Sequence, residues 1–279
     1  MERTHSPEPS EGTQRRERDA GGKRTPILEV RGVHKRFGGI HAARDVSFDL
    51  YPGEVLALAG DNGAGKSTVI KMISGVYLPD AGTITYQGEQ IQSYTPQAVR
   101  ELGIETIYQD LSLADNLDVG VNLFLGRERM RRAFGILPVL DRSFMREEAR
   151  KALEGLGIRL GDLTMPVRDL SGGQRQAIAI SRAVYWNAQL LIMDEPTAAL
   201  GVPEQREVMD LIRRLRARDV AIIIISHNLN DIFEISDRIL VLERGRKAGE
   251  RVTSETDGDE IVRLMMGADL IVQKGPERA

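Results

Sequence analysis

The chain has 279 residues, a net charge of −3 and no cysteine. That length suits one large domain, or one domain with an inserted subdomain. The lack of cysteine excludes disulfides, thiol catalysis and zinc ribbons. The nearly neutral charge does not indicate a nucleic-acid partner. The densest apolar stretch runs only from 220 to 225, whereas a membrane-spanning helix needs about 20 apolar residues.

Residues 1–25 are expected to form a disordered tail, and residues 26–279 the folded domain. In the tail, basic residues such as Arg15 and Arg16 alternate with Glu11, Glu17 and Asp19. Such mixed charge without an apolar segment is typical of a solvated tail and not of a signal peptide. A basic arm for nucleic acid is the alternative interpretation of the same arginines.

The first half of the domain alternates between strand and helix patterns. Strands are predicted at 27–33, 46–50, 54–59, 83–87 and 103–108, and a helix at 66–74. The strand at 83–87 is expected in an antiparallel edge sheet. From 110 to 166 the chain is richer in charge and in turn-forming glycine, and it is expected to form an inserted helical subdomain. Within it, 142–156 predicts an amphipathic helix, and 127–132 a solvated loop, with a ligand site as the alternative.

After Gly173 the alternation of strands and helices returns. Helices are predicted at 174–186, from Pro203 onward and at 230–235, strands at 189–193 and 220–225, and a hairpin turn at 244–245. Continuous apolar strands separated by amphipathic helices indicate a parallel sheet that is covered on both faces. The predicted fold class is therefore α/β.

The segment Gly60-x-x-x-x-Gly65-Lys66-Ser67 lies between a predicted strand and a predicted helix, the setting in which this pattern forms a P-loop. Its backbone N–H groups surround a β-phosphate, Lys66 reaches the β- and γ-phosphates, and Ser67 ligates Mg²⁺. The residues predicted to bind ATP here are Asn62, Gly63, Ala64, Gly65, Lys66, Ser67 and Thr68.

Two further strands end in polar residues suited to phosphoryl transfer. Asp194 and Glu195 follow an apolar strand, and His227 follows another. Asp194 is expected to hold Mg²⁺, Glu195 to act as general base, and His227 to approach the γ-phosphate. Gln109 lies where the core passes into the helical subdomain, and its amide is expected to contact the Mg²⁺ or the attacking water.

A second glycine-containing helix start occurs at Ser171-Gly172-Gly173-Gln174. The positive end of a helix favours anions, so this segment also predicts phosphate binding, with a simple N-cap as the alternative. One nucleotide does not need two such sites from one chain. Two copies placed head to tail would each offer this loop to the nucleotide of the other.

Together these motifs resemble the nucleotide-binding subunit of an ABC transporter from about residue 26 to the end. The segments 54–68, 195–204 and 226–229 are most similar to those of the ATPases of bacterial ribose, xylose and fructose importers. The resemblance implies a P-loop ABC cassette that hydrolyses ATP with Mg²⁺ and stacks adenine on Phe37. The alternative is that Phe37 only fills the turn before Gly38-Gly39. Gly201 stands where the family usually has Asp, which leaves open any contact made by that carboxylate across the dimer.

The resemblance also implies partners and a location. The expected partners are a second copy of the cassette, a permease docked near residues 109–132 and, indirectly, an extracytoplasmic solute-binding protein. The expected location is peripheral, on the cytoplasmic face of the membrane, and the expected cargo is a monosaccharide. The alternatives are an ABC ATPase for another solute and an ABC ATPase that acts outside transport.

Overall fold

A computed structural model describes residues 24–133 and 136–267. The predicted tail therefore lies almost wholly outside the described residues. The strands are β1 (Leu28–Phe37), β2 (Ile40–Leu50), β3 (Val55–Ala59), β4 (Ala81–Tyr86), β5 (Glu89–Gln90), β6 (Ile104–Ile107), β7 (Met130–Ala133), β8 (Leu137–Leu140), β9 (Leu190–Asp194), β10 (Ala221–Ile225), β11 (Arg238–Glu243) and β12 (Arg246–Val252). The α-helices are α1 (Lys66–Ile73), α2 (Pro96–Glu101), α3 (Val119–Leu123), α4 (Arg142–Gly155), α5 (Gly172–Tyr185), α6 (Val202–Arg216), α7 (Leu229–Ile235) and α8 (Gly258–Met265).

The central sheet has six strands in the order β12-β11-β3-β10-β9-β6. Five of them are parallel, and β12 pairs antiparallel with β11 through the predicted turn at 244–245. All five residues of β3 are buried, which is typical of a strand covered on both faces. The predicted parallel sheet is confirmed, with an antiparallel strand added at one edge.

The side chains of β3 alternate between two apolar layers, as the period of a strand requires. Leu56 and Leu58 pack in the layer that contains α1 and the second sheet. Val55 and Ala57 face the opposite layer, where α6 contributes its buried residues. Those residues are Val208, Met209, Leu211, Ile212 and Leu215.

The second sheet is antiparallel, with strand order β2-β1-β4-β5, and it confirms the predicted edge sheet. Its strand β1 continues past the predicted end at Val33, because it pairs with β2 as far as Phe37 opposite Ile40. This sheet brings the β1–β2 hairpin up to the P-loop, where the carbonyl oxygen of Ala42 approaches Gly65.

The segment 110–166, expected to form an inserted helical subdomain, is helical only in part. Helix α4 forms as predicted, with Met145, Ala149 and Leu153 buried and Asp141 capping its N-terminus. The expected solvated loop at 127–132 is wrong for its second half, because β7 pairs with β8 in a two-stranded hairpin. A two-stranded ribbon exposes its side chains much as a loop does, so charge content does not distinguish the two.

The sequence reasoning also missed α2 and α8. Thr95 caps α2, and Pro96 occupies its first turn. Helix α8 buries Ile261 and Leu264 against the layer that contains α6. Within the described part of the chain, no helix combines the length and the apolar character that crossing a bilayer requires.

Candidate functional site

The carboxyl ends of three neighbouring parallel strands meet at one edge of the central sheet. In register, Leu58 of β3 lies opposite Ile225 of β10, and Ile225 lies opposite Asp194 of β9. The residues that follow these strands are the P-loop, His227 and Glu195. The strand order therefore gathers motifs that are more than 160 positions apart in the sequence.

These residues line a cleft of about 1090 Å³. That volume lies just above the usual range for small-molecule sites, which is roughly 300–1,000 Å³. The cleft contains the predicted P-loop from Gly60 to Thr68, together with Gln109, Asp194, Glu195 and His227. The structure thus brings together all of the predicted site residues except Phe37 and the segment 171–174.

Glycine is required in the P-loop where the loop passes between its neighbours. A Cβ on Gly60 would lie 2.4 Å from the carbonyl oxygen of Leu242, and one on Gly65 would lie 2.5 Å from that of Ala42. Gly63 has a φ of 81° but no atom within 4 Å of the same position. The loop is therefore tightly packed at its ends and open to the cleft at Gly63.

The N-terminus of α1 has no side-chain cap. Its N-cap residue, Gly65, adopts a φ of 102° and offers no side chain to the first-turn N–H groups. The Lys66 ammonium lies beside them and donates to the carbonyl oxygens of Gly60 at 2.6 Å and Asp61 at 3.0 Å. Uncapped N–H groups with a lysine among them are suited to binding phosphate.

Burial sets the charge state of the groups around the P-loop. It lowers the pKa of Lys66, and Glu195, Asp61 and Asp194 partly oppose this effect. Burial also raises the pKa of Asp194, and the negative charge of Glu195 adds to that rise. Two neighbouring carboxylates in a half-buried site are therefore stabilised by any cation that enters the cleft.

Glu195 is held in a constrained geometry. Its φ is 53°, a left-handed conformation that is costly for a residue with a side chain, and its N–H donates to the carbonyl oxygen of Ile225 at 2.9 Å. One carboxylate oxygen lies 2.8 Å from Nδ1 of His227. The Glu195 side chain is 18% exposed and that of His227 is 79% exposed.

A buried network fixes the loops that carry these two residues. The Thr197 hydroxyl donates to Asp231 at 2.5 Å, and the Asn228 amide donates to the other oxygen of Asp231 at 2.9 Å. Thr197 follows Glu195, and Asn228 follows His227. The network therefore holds the loop after β9 against the loop after β10.

The comparisons with known proteins agree with this geometry. The family model described as ABC transporter matches residues 43–198, which is more than half of the chain. The chain belongs to the ABC transporter family. It is 47% identical to the xylose/arabinose import ATP-binding protein XylG of Sulfolobus acidocaldarius over 239 residues, covering 86% of this chain and 93% of that protein.

Two further relatives support the same assignment. The fructose import ATP-binding protein FrcA of Rhizobium meliloti is 45% identical over 248 residues, covering 87% of this chain and 95% of that protein. The solved ADP conformation of MJ1267, an ATP-binding cassette of an ABC transporter, superposes with a TM-score of 0.71 at 26% identity. That match covers 89% of this chain and 98% of the solved one. The chain is therefore an ABC ATPase cassette.

In this cassette the segment 171–174 lies away from the P-loop cleft. Ser171 caps α5 by accepting from the N–H of Gln174 at 3.3 Å, and the Gln174 side chain accepts from the N–H of Ser171 at 3.0 Å. A Cβ on Gly172 would lie 2.6 Å from Leu200, and one on Gly173 would lie 2.8 Å from Glu204. The helix start is therefore capped by its own side chains and packed against the start of α6.

Phe37 of the cassette does not line the cleft. Its ring packs edge-on against Tyr77, with centroids 5.1 Å apart, and it is 40% exposed. Its partner across the β1–β2 hairpin, Ile40, does line the cleft. Phe37 therefore lies at the rim of the cleft, because its cross-strand partner Ile40 belongs to the cleft wall.

The sequence reasoning missed several residues of the cleft wall. Ile40, His41, Arg44, Arg244 and Met265 belong to the second sheet, the β11–β12 turn and α8. The N–H of Gly245 donates to Ala64, and the N–H of Arg44 donates to Gly245. Only the packing of these elements around the P-loop identifies the residues, because no local sequence signal marks them.

Proposed function

We propose that this cassette hydrolyses ATP to energise the import of a monosaccharide through a membrane permease. The observation that carries the proposal is 47% and 45% identity to two sugar-import ATP-binding proteins along more than nine-tenths of their lengths. The cleft is consistent with it, because the residues that phosphoryl transfer requires converge there.

The P-loop is the proposed phosphate site. The N–H groups from Gly63 to Thr68 surround the β-phosphate, the Asn62 side chain lies at the open edge, and Lys66 pairs with the β- and γ-phosphates. The open space at Gly63 and the uncapped start of α1 support this role. Phe37 at the rim is the proposed adenine-stacking residue.

Ser67, Asp194 and Gln109 are the proposed ligands of Mg²⁺. All three line the cleft, and together they offer a hydroxyl, a carboxylate and an amide oxygen, which are the hard donors that this ion prefers. When bound, the ion would neutralise phosphate charge. It would also stabilise the ionised form of Asp194, whose burial disfavours that charge in the free protein.

Glu195 is the proposed general base. Its largely buried carboxylate accepts a proton from the attacking water, and His227 holds that carboxylate through the 2.8 Å contact. The network through Asp231 keeps the two loops in register. His227 also lies in the cleft, where it can reach the γ-phosphate.

Two identical cassettes are proposed to form the working unit. Ser171, Gly172, Gly173 and Gln174 lie outside the cleft of their own chain, so a second copy is the natural source of a nucleotide for them. The permease is proposed to dock near residues 109–132, which places the cassette at the cytoplasmic face of the membrane.

Uptake measurements test this proposal. Deleting the gene is expected to abolish import of one or a few monosaccharides, while import of amino acids and peptides continues. Wild-type protein restores uptake, and the variant Glu195→Gln does not, although it is expressed equally. Normal uptake of every sugar together with loss of an amino acid or a metal would refute the sugar assignment and leave the ATPase assignment standing.

A further inference from the structure

The β7–β8 hairpin has an exposed surface that neither the cleft nor the segment 171–174 uses. We call it the hairpin surface. Its members are Arg127, Arg129, Met130, Arg131, Arg132, Ile136 and Leu137, and all of them are exposed.

The hairpin surface is strongly basic. Residues 127–132 contain four arginines and one acidic residue, Glu128. The Glu128 carboxylate accepts from the N–H of Gly126 at 2.9 Å, a bond that also lowers its pKa. This carboxylate is thus engaged by the adjacent backbone, and residues 127–132 carry a net positive charge.

Two of the arginines are held in place by aromatic rings. The guanidinium of Arg127 lies 4.6 Å from the centre of the Trp186 ring, and that of Arg129 lies 5.6 Å from the centre of the Phe144 ring. A guanidinium that stacks by its face keeps its charge and the N–H groups at its edge. These groups remain suited to binding an anionic oxygen.

Large apolar side chains accompany the arginines. Met130 is 49% exposed, Leu137 is 55% exposed and Ile136 is 80% exposed. By the alternation of a strand, Met130 shares one face of the hairpin with Arg132, and Leu137 shares the other with Arg131. Exposed apolar residues beside arginines on both faces are typical of an interaction surface and not of a purely solvated one.

The base of the hairpin surface is rigid although the hairpin itself is small. Phe124, Phe144, Tyr185 and Trp186 pack with ring centroids 5.1 to 6.1 Å apart, and the Trp186 indole donates to Leu123 at 3.0 Å. Among the described residues, the hairpin pairs with neither of the other two sheets. An isolated two-stranded hairpin is marginally stable in water, so a contact on its exposed side stabilises it.

We propose that the hairpin surface binds the anionic phospholipid headgroups of the membrane. Arginines pair with headgroup phosphates, and the adjacent apolar side chains enter the interface, a combination typical of peripheral membrane contacts. The inference rests on the proposed function, which already places the cassette at the membrane. It assigns residues 127–132, the end of the stretch 109–132 proposed for permease docking, to lipid and leaves residues 109–126 to the permease.

Vesicle co-sedimentation of the full chain without nucleotide tests this contact. The probes are phosphatidylcholine vesicles with and without about one-third phosphatidylglycerol, a composition that gives a negative surface. Wild-type protein is expected to sediment with the anionic vesicles and to be released by salt. The variant Arg131→Glu/Arg132→Glu is expected to bind at least about 25-fold more weakly, because each basic residue contributes roughly fivefold.

A matched control separates this surface from overall charge. Arg206→Glu/Arg263→Glu makes the same charge change at exposed residues of α6 and α8, and it is expected to bind vesicles nearly as well as wild type. Ile136→Ser, which keeps the charge, is expected to weaken binding several-fold. ATPase activity in solution should persist in all three variants, so loss of vesicle binding is distinguishable from failure of the ATPase.

Three outcomes would overturn the inference. The first is equal binding of wild type and Arg131→Glu/Arg132→Glu to anionic vesicles, and the second is equal loss in the control pair. The third is dependence on Arg131 and Arg132 only when the permease is present in phosphatidylcholine vesicles, since that result assigns the surface to a protein contact.

Discussion

The cassette has two helix starts that look alike in sequence but differ in structure. At the start of α1, Gly65 provides no cap, and the free N–H groups face a cleft that also holds Lys66. At the start of α5, Ser171 and Gln174 satisfy each other's backbone N–H groups. The helix dipole favours an anion at both, but at the second the capping box already satisfies the N–H groups of Ser171 and Gln174.

This difference indicates how the two sites divide their tasks. The P-loop is prepared for phosphate by its own chain, with Asp194 and Glu195 placed across the same cleft. The start of α5 is stable without a ligand, and under the proposed function it meets a nucleotide only when a second cassette closes on it. Binding would then be a property of one chain and hydrolysis a property of two.

The largest expected effect is that of a substitution at Glu195, across the cleft from the start of α1, which separates ATP binding from ATP hydrolysis. Glu195→Gln keeps the size and the hydrogen-bonding capacity of the side chain but removes the base, so we expect ATP affinity to persist and turnover to fall by roughly 10²–10⁴-fold. Gel filtration with ATP and Mg²⁺ should show a stable dimer. As a contrasting variant, Lys66→Ala should lose ATP affinity itself. Normal turnover in Glu195→Gln would refute its role.

Mixing variants tests whether the two helix starts of different chains form one site. Ser171→Arg should bind ATP as a monomer but lose dimer-dependent hydrolysis, because the added side chain blocks the approach of a partner nucleotide. A mixture with Lys66→Ala creates dimers in which one composite site has both defects and the other has neither. Partial recovery of activity is expected. No recovery at any ratio would contradict composite sites.

The carboxylates of the P-loop cleft give a prediction about stability. Burial and Glu195 raise the folded-state pKa of Asp194, so the folded chain retains that proton to a higher pH than the unfolded chain does. Above the folded pKa the ionised carboxylate therefore lowers the free energy of unfolding, and this cost disappears as the pH falls.

Asp194→Asn should accordingly raise the thermal stability of the nucleotide-free protein at pH 7, with a smaller gain at a pH below the folded-state pKa of Asp194. Its ATPase activity should be lost. Thermal unfolding at both pH values checks the stability change, and Asp61→Asn, at an exposed carboxylate of the same cleft, is the control. A loss of stability at pH 7 would show that the paired interactions with Lys66 outweigh burial.

The smallest effect concerns the cap of the second helix start. Ser171→Ala removes the N-cap of α5 and should cost about 1 kcal/mol of stability. Thr95→Ala removes the corresponding cap of α2 and should cost a similar amount. Denaturant unfolding measures both changes. We expect only Ser171→Ala to reduce ATPase activity. An equal loss of activity in Thr95→Ala would show that Ser171 acts only as a structural cap.

The two helix starts also show how much of the site could be predicted. The sequence identified Ser171–Gln174 and the P-loop as helix starts with glycine, because capping residues and turn glycines act locally. It did not reveal that Ser171 and Gln174 cap each other or that Phe37 packs on Tyr77. Those contacts depend on rotamers and on neighbouring elements.

The segment 110–166 shows how far the fold could be predicted from the sequence. Helix α4 could be predicted because its buried apolar residues recur every three to four positions in the sequence. The hairpin formed by β7 and β8 was not, because β7 is exposed at 130–132 and β8 is only half-buried at 139–140, so neither strand shows a clear alternation. The same exposure makes that hairpin available as a lipid-binding surface under the inference above.

The sequence by itself determined the order of the chemical groups along the chain: phosphate loop, glutamine, capped helix, paired acids and histidine. Each depends on backbone chemistry within a few residues, and that information is local. The tertiary structure alone decided which of them share a cleft, because the order β11-β3-β10-β9 places the ends of distant strands side by side. It also decided the far wall, where His41, Arg44 and Met265 approach the P-loop through packing with no local signature.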